Sequence, residues 1–358
     1  MFPTPGFLFV TCQMGAERAL KAEIAREWPD FRFAYSRPGF LTFKLPAKHS
    51  LAPDFELRSV FARTHGFSLG KVSSHSPLEL SDQFWRTVGA QRFERLHVWQ
   101  RDTLPAGDHS YEPGPTEAAK VARDAILAPS LELTTTIPRP PTIGWLTPTE
   151  PGNLVLDCIV TEPNEWWVGF HRAKSTESCW TGGYCPITLP ADAVSRAYLK
   201  MEEGLQWSGL PVQAGERCVE IGCSPGGASQ ALLKRGLRVI GIDPADVDPR
   251  VLALPHFEHV KKRGADVRRR EFRGIDWLTA DINVAPNYTL DTVEAIVTHS
   301  DVNIRGMLLT LKLIEWEMAN DIPGYLARIR AWGFQRVVAR QLQHNRQEIC
   351  VVARGKRA

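Results

Sequence analysis

Residues Glu220–Leu233 read EIGCSPGGASQALL, and this stretch decides the fold. The run Cys218-Val219-Glu220-Ile221 leading into it has the composition of a short buried strand. Ala228–Arg235 has helical spacing, and between the two lie Gly222, Pro225, Gly226 and Gly227, a tight turn. Strand, glycine turn and helix in that order form a unit that receives a nucleotide-like ligand at the helix start; an α/β turn with no ligand is the plain alternative. A dinucleotide fingerprint requires G-x-G-x-x-G. Here Gly222 is followed by Cys223 and Ser224, so the glycine that lets a backbone hug a pyrophosphate is absent. That disfavours a dinucleotide oxidoreductase and points to a smaller ligand. Pro225, fixed in φ and lacking an N–H, suits a first helical turn. Asp243 ends the next strand-like run, LRVIGID, about twenty residues on, where a carboxylate can accept both hydroxyls of a ribose.

Outward from this turn, strand-like and helix-like runs alternate from about Ile187 to Ala358: DAVSRAYLKMEEGL, RCVEIG, LRVIGID, FEHVKK, IDWLTAD, LDTVEAIV, GMLLTLK, YLARIRAW, FQRVVARQL and QEICVVA. Alternation with short connections predicts a doubly wound, mostly parallel sheet. Only a short turn (HNR) joins the last two strands, so the final strand is expected to be antiparallel. Asp281 and Lys312 each end a predicted strand and Glu348 begins the antiparallel one, which brings all three to one rim, the carboxyl edge where such sheets bind ligands.

The amino-terminal half has a different pattern. Residues 1–75 read strand FLFVT, helix AERALKAEIAREW, strands FRFAYS and FLTFKL, and a strand near FSLGKV, an α+β order of ferredoxin-like kind. Residues 76–175 read helix LSDQFWRTVG, strand RLHVWQ, helix TEAAKVARDAIL, the proline-rich connection TTTIPRPPTIGWLTPTEPG, and a hairpin, NLVLDCIV–TEPN–EWWVGFHRA. His97, Trp99, Trp166 and Trp167 are expected to pack there rather than stack on bases.

Composition narrows the function classes. The chain has 358 residues, 43% hydrophobic and 23% charged, the proportions of a soluble globular protein of two or three domains. No stretch approaches a membrane span and the start MFPTPGFLFV is not a secretory leader, so a cytoplasmic location and no membrane partner are expected. The seven scattered cysteines form no CxxC pair or zinc-like cluster, and no metal is expected. A net charge of +3 is compatible with nucleic acid without establishing it. The densest basic run is Lys261–Arg273, KKRGADVRRREFR, which either holds RNA phosphates or is a solvated loop.

CVEIGCSPGGASQAL followed by VIGID resembles the cofactor motif and partner acid of FtsJ-like RNA 2′-O-methyltransferases. SRAYLKMEEGL, TADINVAP, GMLLTLKL and RQLQHNRQEICVVA extend the likeness to the RlmM-like branch. The resemblance implies a Rossmann-like methyltransferase domain over residues 187–358, preceded by ferredoxin-like (1–75) and RNA-binding THUMP-like (76–175) domains. It implies S-adenosyl-L-methionine as cofactor, held by Glu220, Gly222, Ser224, Pro225, Gly226, Gly227, Asp243, Asp266 and Asp281. It also implies a catalytic tetrad of Lys200, Asp281, Lys312 and Glu348, with a ribose 2′-hydroxyl, a cytidine's, in large-subunit ribosomal RNA as substrate and no role for DNA. Cys223-Ser224 and Glu220 depart from the family's usual small apolar residues and Asp.

Lys200 lies off the apolar stripe Val194, Ala197, Tyr198, Met201, Leu205, and a solvated helix lysine is its plain alternative. Removing a proton from a ribose hydroxyl calls for a base or a steering group. Lys200 beside Lys312, with partial burial, is expected to depress the pKa of Lys312 for that role. Adenine amino methylation is disfavoured because ADINVAP lacks the Asn/Asp-Pro-Pro-aromatic stretch. Cytosine carbon methylation needs a cysteine nucleophile near that rim and is disfavoured, since Cys185 precedes the fold core and reads as a loop cysteine. A non-catalytic RNA-binding or assembly factor on the same scaffold, or a 2′-O-methyltransferase of another RNA, stays open. The sequence does not specify the target nucleotide or the oligomeric state.

Overall fold

The computed structural model describes residues 5–46, 51–52, 54–108, 110–128, 142–143 and 147–356. The chain divides into two compact units, Met1–Pro186 and Ile187–Ala358. Much of the proline-rich connection lies outside the described residues.

The first unit runs β1 (Phe7–Thr11), α1 (Glu17–Glu27), β2 (Arg32–Arg37), β3 (Phe40–Lys44), β4 (Thr64–Ser73), α2 (Pro77–Val88), β5 (Arg95–Gln100), α3 (Glu117–Leu127), β6 (Thr142–Ile143), β7 (Leu154–Glu162) and β8 (Glu165–Arg172). These strands form one sheet in the order β2-β3-β1-β4-β8-β7-β5-β6. Its continuity rests on β4: Thr64–Phe67 pair with β1, and Phe67–Ser73 pair with β8. The boundary expected near residue 75 thus falls just after a strand that both segments share. Ser76 caps α2 by accepting the Glu79 N–H, with Pro77 in the first turn, and Thr116 caps α3 by accepting the Ala119 N–H. Leu80, Phe84 and Val88 of α2 and Ala122 and Ile126 of α3 bury against Leu96, Val98, Leu156 and Cys158. Strand alternation turns His97 and Trp99 to the other face, where they too are buried. Trp166 is buried, and Trp167 donates its ring N–H to Ser68 at 2.6 Å.

The second unit runs α4 (Ala197–Ser208), β9 (Arg217–Ile221), α5 (Gly227–Lys234), β10 (Arg238–Ile242), α6 (Pro249–Leu252), β11 (Phe257–Val260), β12 (Trp277–Asp281), α7 (Pro286–Val297), β13 (Gly306–Lys312), α8 (Ile322–Ala331), β14 (Phe334–Arg340) and β15 (Glu348–Lys356). The sheet order is β11-β10-β9-β12-β13-β15-β14. The pairs from β11 to β13 are parallel, and β15 inserts antiparallel between β13 and β14. From β9 the chain winds out through β10 and β11, then returns to the other side of β9 as β12. The β9/β12 boundary is therefore the switch point, where the crevice of a doubly wound sheet opens.

One buried cluster shows which way this sheet faces. Tyr198, Leu199, Met201 and Leu205 of α4 pack with Ala228, Ala231 and Leu232 of α5 onto Cys218, Val239, Trp277, Leu308, Cys350 and Val352. Because side chains alternate along a strand, residues at even spacings from these share the α4/α5 face. Glu220 is two from Cys218, Asp281 four from Trp277, Lys312 four from Leu308, and Glu348 two from Cys350.

Candidate active site at the carboxyl rim of the second sheet

The register across β13 and β15 sets Lys312 directly opposite Glu348. Lys200, on α4 above that face, completes a ring with Asp281. Lys312 Nζ lies 3.0 Å from Asp281 Oδ1 and is hydrogen-bonded to Glu348 Oε2. Lys200 Nζ pairs with Glu348 Oε1 and lies 3.7 Å from Asp281 Oδ2. Charges alternate around the ring, so the four expected catalytic residues meet with each lysine between two carboxylates.

This arrangement overturns one expectation. Burial alone would lower the Lys312 pKa, but Asp281 and Glu348 outweigh it and hold the amine above its ordinary value. Lys200 lies across the carboxylates from Lys312 and not against it, so the like-charge repulsion expected to free a lysine base is offset by closer opposite charges. The Glu348 carboxyl, with 3% of its side chain exposed, is raised by burial but lowered more by Lys200 and Lys312, and ends below the usual carboxylate range. Asp281 Oδ1 is buried and accepts no well-aligned hydrogen bond despite its nearness to Lys312. It is ion-paired with Lys312 and has hydrogen-bonding capacity to spare.

The glycine turn lies beside this ring. Gly222 has φ +85°, and a Cβ there would sit 2.5 Å from the Asp281 carbonyl oxygen. Its bareness therefore serves the close approach of β9 to β12. Gly226, at φ +117°, caps α5, and a Cβ on Gly227 would run into Ser195. Pro225 stands two residues before α5, after a cis Ser224–Pro225 bond, and not in the first helical turn as expected. Ser224 donates its backbone N–H to Asp243 Oδ2 at 3.1 Å and its hydroxyl to the Asp246 carbonyl. Ala245 N–H donates to Asp243 Oδ1 at 2.8 Å. Asp243 is half-buried at the end of β10, so these two bonds fix a carboxylate that keeps lone pairs for a ligand. Glu220 sits underneath, 1% exposed, accepting from Ser229 of α5. Burial pushes its carboxyl up to about 8, lowered by the Ser229 bond and raised further by Asp281 and Asp243. It is a buried prop that joins strand to helix.

Asp266 is exposed in a short 3₁₀ turn, Gly264–Asp266, whose Gly264 packs against Ile221 of β9. In the basic run around it, Val267 and Phe272 are buried, Lys261 pairs with Asp246 and Arg273 with Asp301, while Lys262, Arg263 and Arg268 are exposed. The run is a pinned surface with some of its charge already neutralised.

Sequence reasoning missed the polar groups behind the ring. Asn345 donates to Glu348 Oε1 at 3.3 Å, and Glu203 of α4 accepts the N–H groups of Gln343 and His344 at 2.8 and 3.0 Å. No spacing rule marks them, since Glu203 looks like one more surface acid in MEEG. Among the described residues, one cluster of metal-ligand type occurs, the buried His97, Asp157 and His171, whose ligand atoms lie within 4.8 Å of one another. His171 meets Asp157 Oδ2 at 2.6 Å through Nδ1 and the Ser178 carbonyl at 2.8 Å through Nε2, so both its ring nitrogens are engaged in hydrogen bonds.

A doubly wound sheet with this turn, a fixed acid ending its second strand and a lysine–carboxylate ring at the switch point is the frame of a nucleotide-cofactor transferase. Residues 193–344 match the FtsJ-like methyltransferase family, and the second unit is an FtsJ-like methyltransferase domain. Similar relatives carry the name Ribosomal RNA large subunit methyltransferase M. That of Marinobacter nauticus is 31% identical over 183 residues, 47% of this chain and 49% of the relative. That of Halorhodospira halophila is 32% identical over 181 residues, 49% of this chain and 51% of the relative. The chain spans about half the length of the curated relatives it matches. No helix among the described residues is long and apolar enough to cross a membrane.

Proposed function

We propose that this protein transfers a methyl group from S-adenosylmethionine to a ribose 2′-hydroxyl, a cytidine's, in large-subunit ribosomal RNA. The alternating ring of Lys200, Glu348, Lys312 and Asp281 beside the glycine turn carries this reading. The cofactor supplies an activated methyl on a sulfonium. Asp243, anchored by two N–H groups with lone pairs to spare, fits a ribose diol, and the Asp281 carboxylate, ion-paired with Lys312, stands beside the turn. Ser224, Pro225, Gly226 and Gly227 shape the turn, and we assign Asp266, exposed in the turn after β11, to the same cofactor.

In this mechanism the Asp281 carboxylate takes up the proton that the 2′-hydroxyl loses as its oxygen receives the methyl group, and aims that oxygen. Lys312, held as an ammonium, stabilises the negative charge that builds there, with Lys200 beside it. Glu348 keeps the two amines apart and oriented. The names of the relatives support large-subunit RNA as substrate, and we assign the reaction to the cytoplasm. Exposed Lys262, Arg263 and Arg268 offer phosphate contacts near the rim. We assign RNA holding also to the first unit, with residues 1–75 as its ferredoxin-like and 76–175 as its THUMP-like part.

The test is methyl transfer from labelled S-adenosylmethionine to protein-free large-subunit rRNA, with 2′-O-methyl mapping. One ribose methylated by wild type, and the same ribose about 10²–10³-fold more slowly by Lys312→Ala, is the expected result. Label on a base, or no label with wild type, would overturn the function.

A further inference from the structure

Glu203 lies one helical turn beyond Lys200 on α4, yet it touches neither Asp281 nor Lys312 in any bond described above. Its carboxylate is 7% exposed and accepts two backbone N–H groups, those of Gln343 and His344. Both belong to the connection between β14, which ends at Arg340, and β15, which begins at Glu348. A buried carboxylate is tolerated when charge-assisted hydrogen bonds replace its water, and backbone donors some 140 positions away supply them here.

The same connection is braced internally. Asn345, 1% exposed, accepts the Leu342 N–H at 2.8 Å and passes its own amide N–H to Glu348 Oε1. Gln341 reaches the Arg346 carbonyl at 2.8 Å. Glu348 Oε1 therefore has two partners, Asn345 within the connection and Lys200 on α4. Whatever fixes the connection to α4 also fixes the carboxylate between its lysines. Gly204 makes the close approach possible: a Cβ there would meet Leu308 Cδ2 at 2.6 Å and Cys350 Sγ at 3.6 Å. The helix lies so near β13 and β15 that Lys200 and Glu203 both reach across.

We infer that Glu203 is a positioning residue for the methyl-transfer step: it clamps the β14–β15 connection to α4 and thereby holds Glu348 at the bonding distance that orients Lys200 and Lys312. The inference rests on the proposed function, because it concerns the same ring. It adds a residue outside the tetrad whose loss misplaces the ring without removing any member of it. Small misplacements of reacting groups lower rates by up to about 10²-fold.

The experiment uses the full chain and Glu203→Gln, which keeps shape but sets an amide N–H₂ against one of the two backbone donors. Three quantities are measured: single-turnover methyl transfer to large-subunit rRNA at saturating cofactor, S-adenosylmethionine affinity by calorimetry, and amide hydrogen exchange. Expected are a rate about 10–100-fold lower, cofactor affinity within about twofold of wild type, and faster exchange at Gln343 and His344 with β9 and β12 unchanged. A merely structural role would lower rate and affinity together or loosen the whole sheet. Wild-type exchange at the two amides, or a loosened connection with an unchanged rate, would overturn the inference. If Glu203→Gln does not fold, Glu203→Asp, which retains the charge on a shorter arm, is judged by the same outcomes. Should wild type transfer no methyl, the proposed function falls and the catalytic role of Glu203 with it. Transfer by wild type together with an unaffected variant refutes Glu203 alone.

Discussion

The sharpest consequence of the ring is the pH dependence of methyl transfer. Two carboxylates hold Lys312 above its ordinary pKa, which for a free lysine is about 10.4. At pH 7.4 fewer than about one molecule in 10³ then carries a neutral amine. A reaction that needed that neutral form would speed up tenfold for each pH unit from 6 to beyond 9. A reaction that uses the ammonium would be flat over the same range. The structure favours the second, because Asp281 and Glu348 hold Lys312 as a cation that can stabilise charge. Replacing it by alanine removes one oriented donor from a developing oxyanion, worth about 10²–10³ in rate. The same replacement leaves Glu348 buried with Lys200 alone. Breaking a buried pair outright costs about 3–5 kcal/mol, and the surviving lysine reduces this to about 1–3 kcal/mol. The assay is single-turnover transfer from pH 6 to 9 for wild type, Lys312→Ala and Lys312→Arg. A unit slope present in wild type and absent from Lys312→Ala would refute the ammonium role and restore a lysine base. If the slope is absent and Lys312→Arg keeps more activity than Lys312→Ala, charge is the property that matters.

Four further outcomes follow from the same geometry. Gly222→Val should destabilise the protein before any ligand is added, by at least the roughly 1–3 kcal/mol of a left-handed backbone, because its Cβ meets the Asp281 carbonyl; a thermal midpoint equal to wild type would contradict this. Asp243→Asn should weaken S-adenosylmethionine binding by about 10–100-fold with little change in fold, and calorimetry showing full affinity would remove Asp243 from the cofactor site. Glu348 has its folded pKa below the unfolded one, so its stabilisation is complete above the unfolded value near 4.3 and lost as pH falls through the folded one; the stability gap between wild type and Glu348→Gln should be widest at neutral pH and shrink below about pH 4 in denaturant titrations. RNA affinity should fall steeply with salt, and a fragment beginning at Ile187 should keep cofactor but lose RNA; equal RNA binding by fragment and full chain would refute RNA holding by the first unit.

Local features were legible in the sequence because each depends on a few neighbouring residues. Strand, glycine turn and helix around Gly222, the acid at Asp243, and the placing of Asp281 and Lys312 at strand ends all follow from periodicity and chain punctuation. The antiparallel course of β15 followed from the short link before Glu348. What the tertiary structure decided depends on residues far apart in the chain. Thr64–Ser73 joins both amino-terminal segments into one sheet because it pairs on both edges, a property no single strand's pattern reveals. Gly222 is bare because another strand's carbonyl lies against it. Lys200 is drawn into the ring and only partly exposed, and Glu203 is buried, because Gly204 lets α4 descend onto β13 and β15. The charge state of Lys312 is the clearest case. It is a sum over burial and two carboxylates drawn from separate strands, and its sign, opposite to the one expected from a lysine neighbour alone, exists only once those strands are assembled.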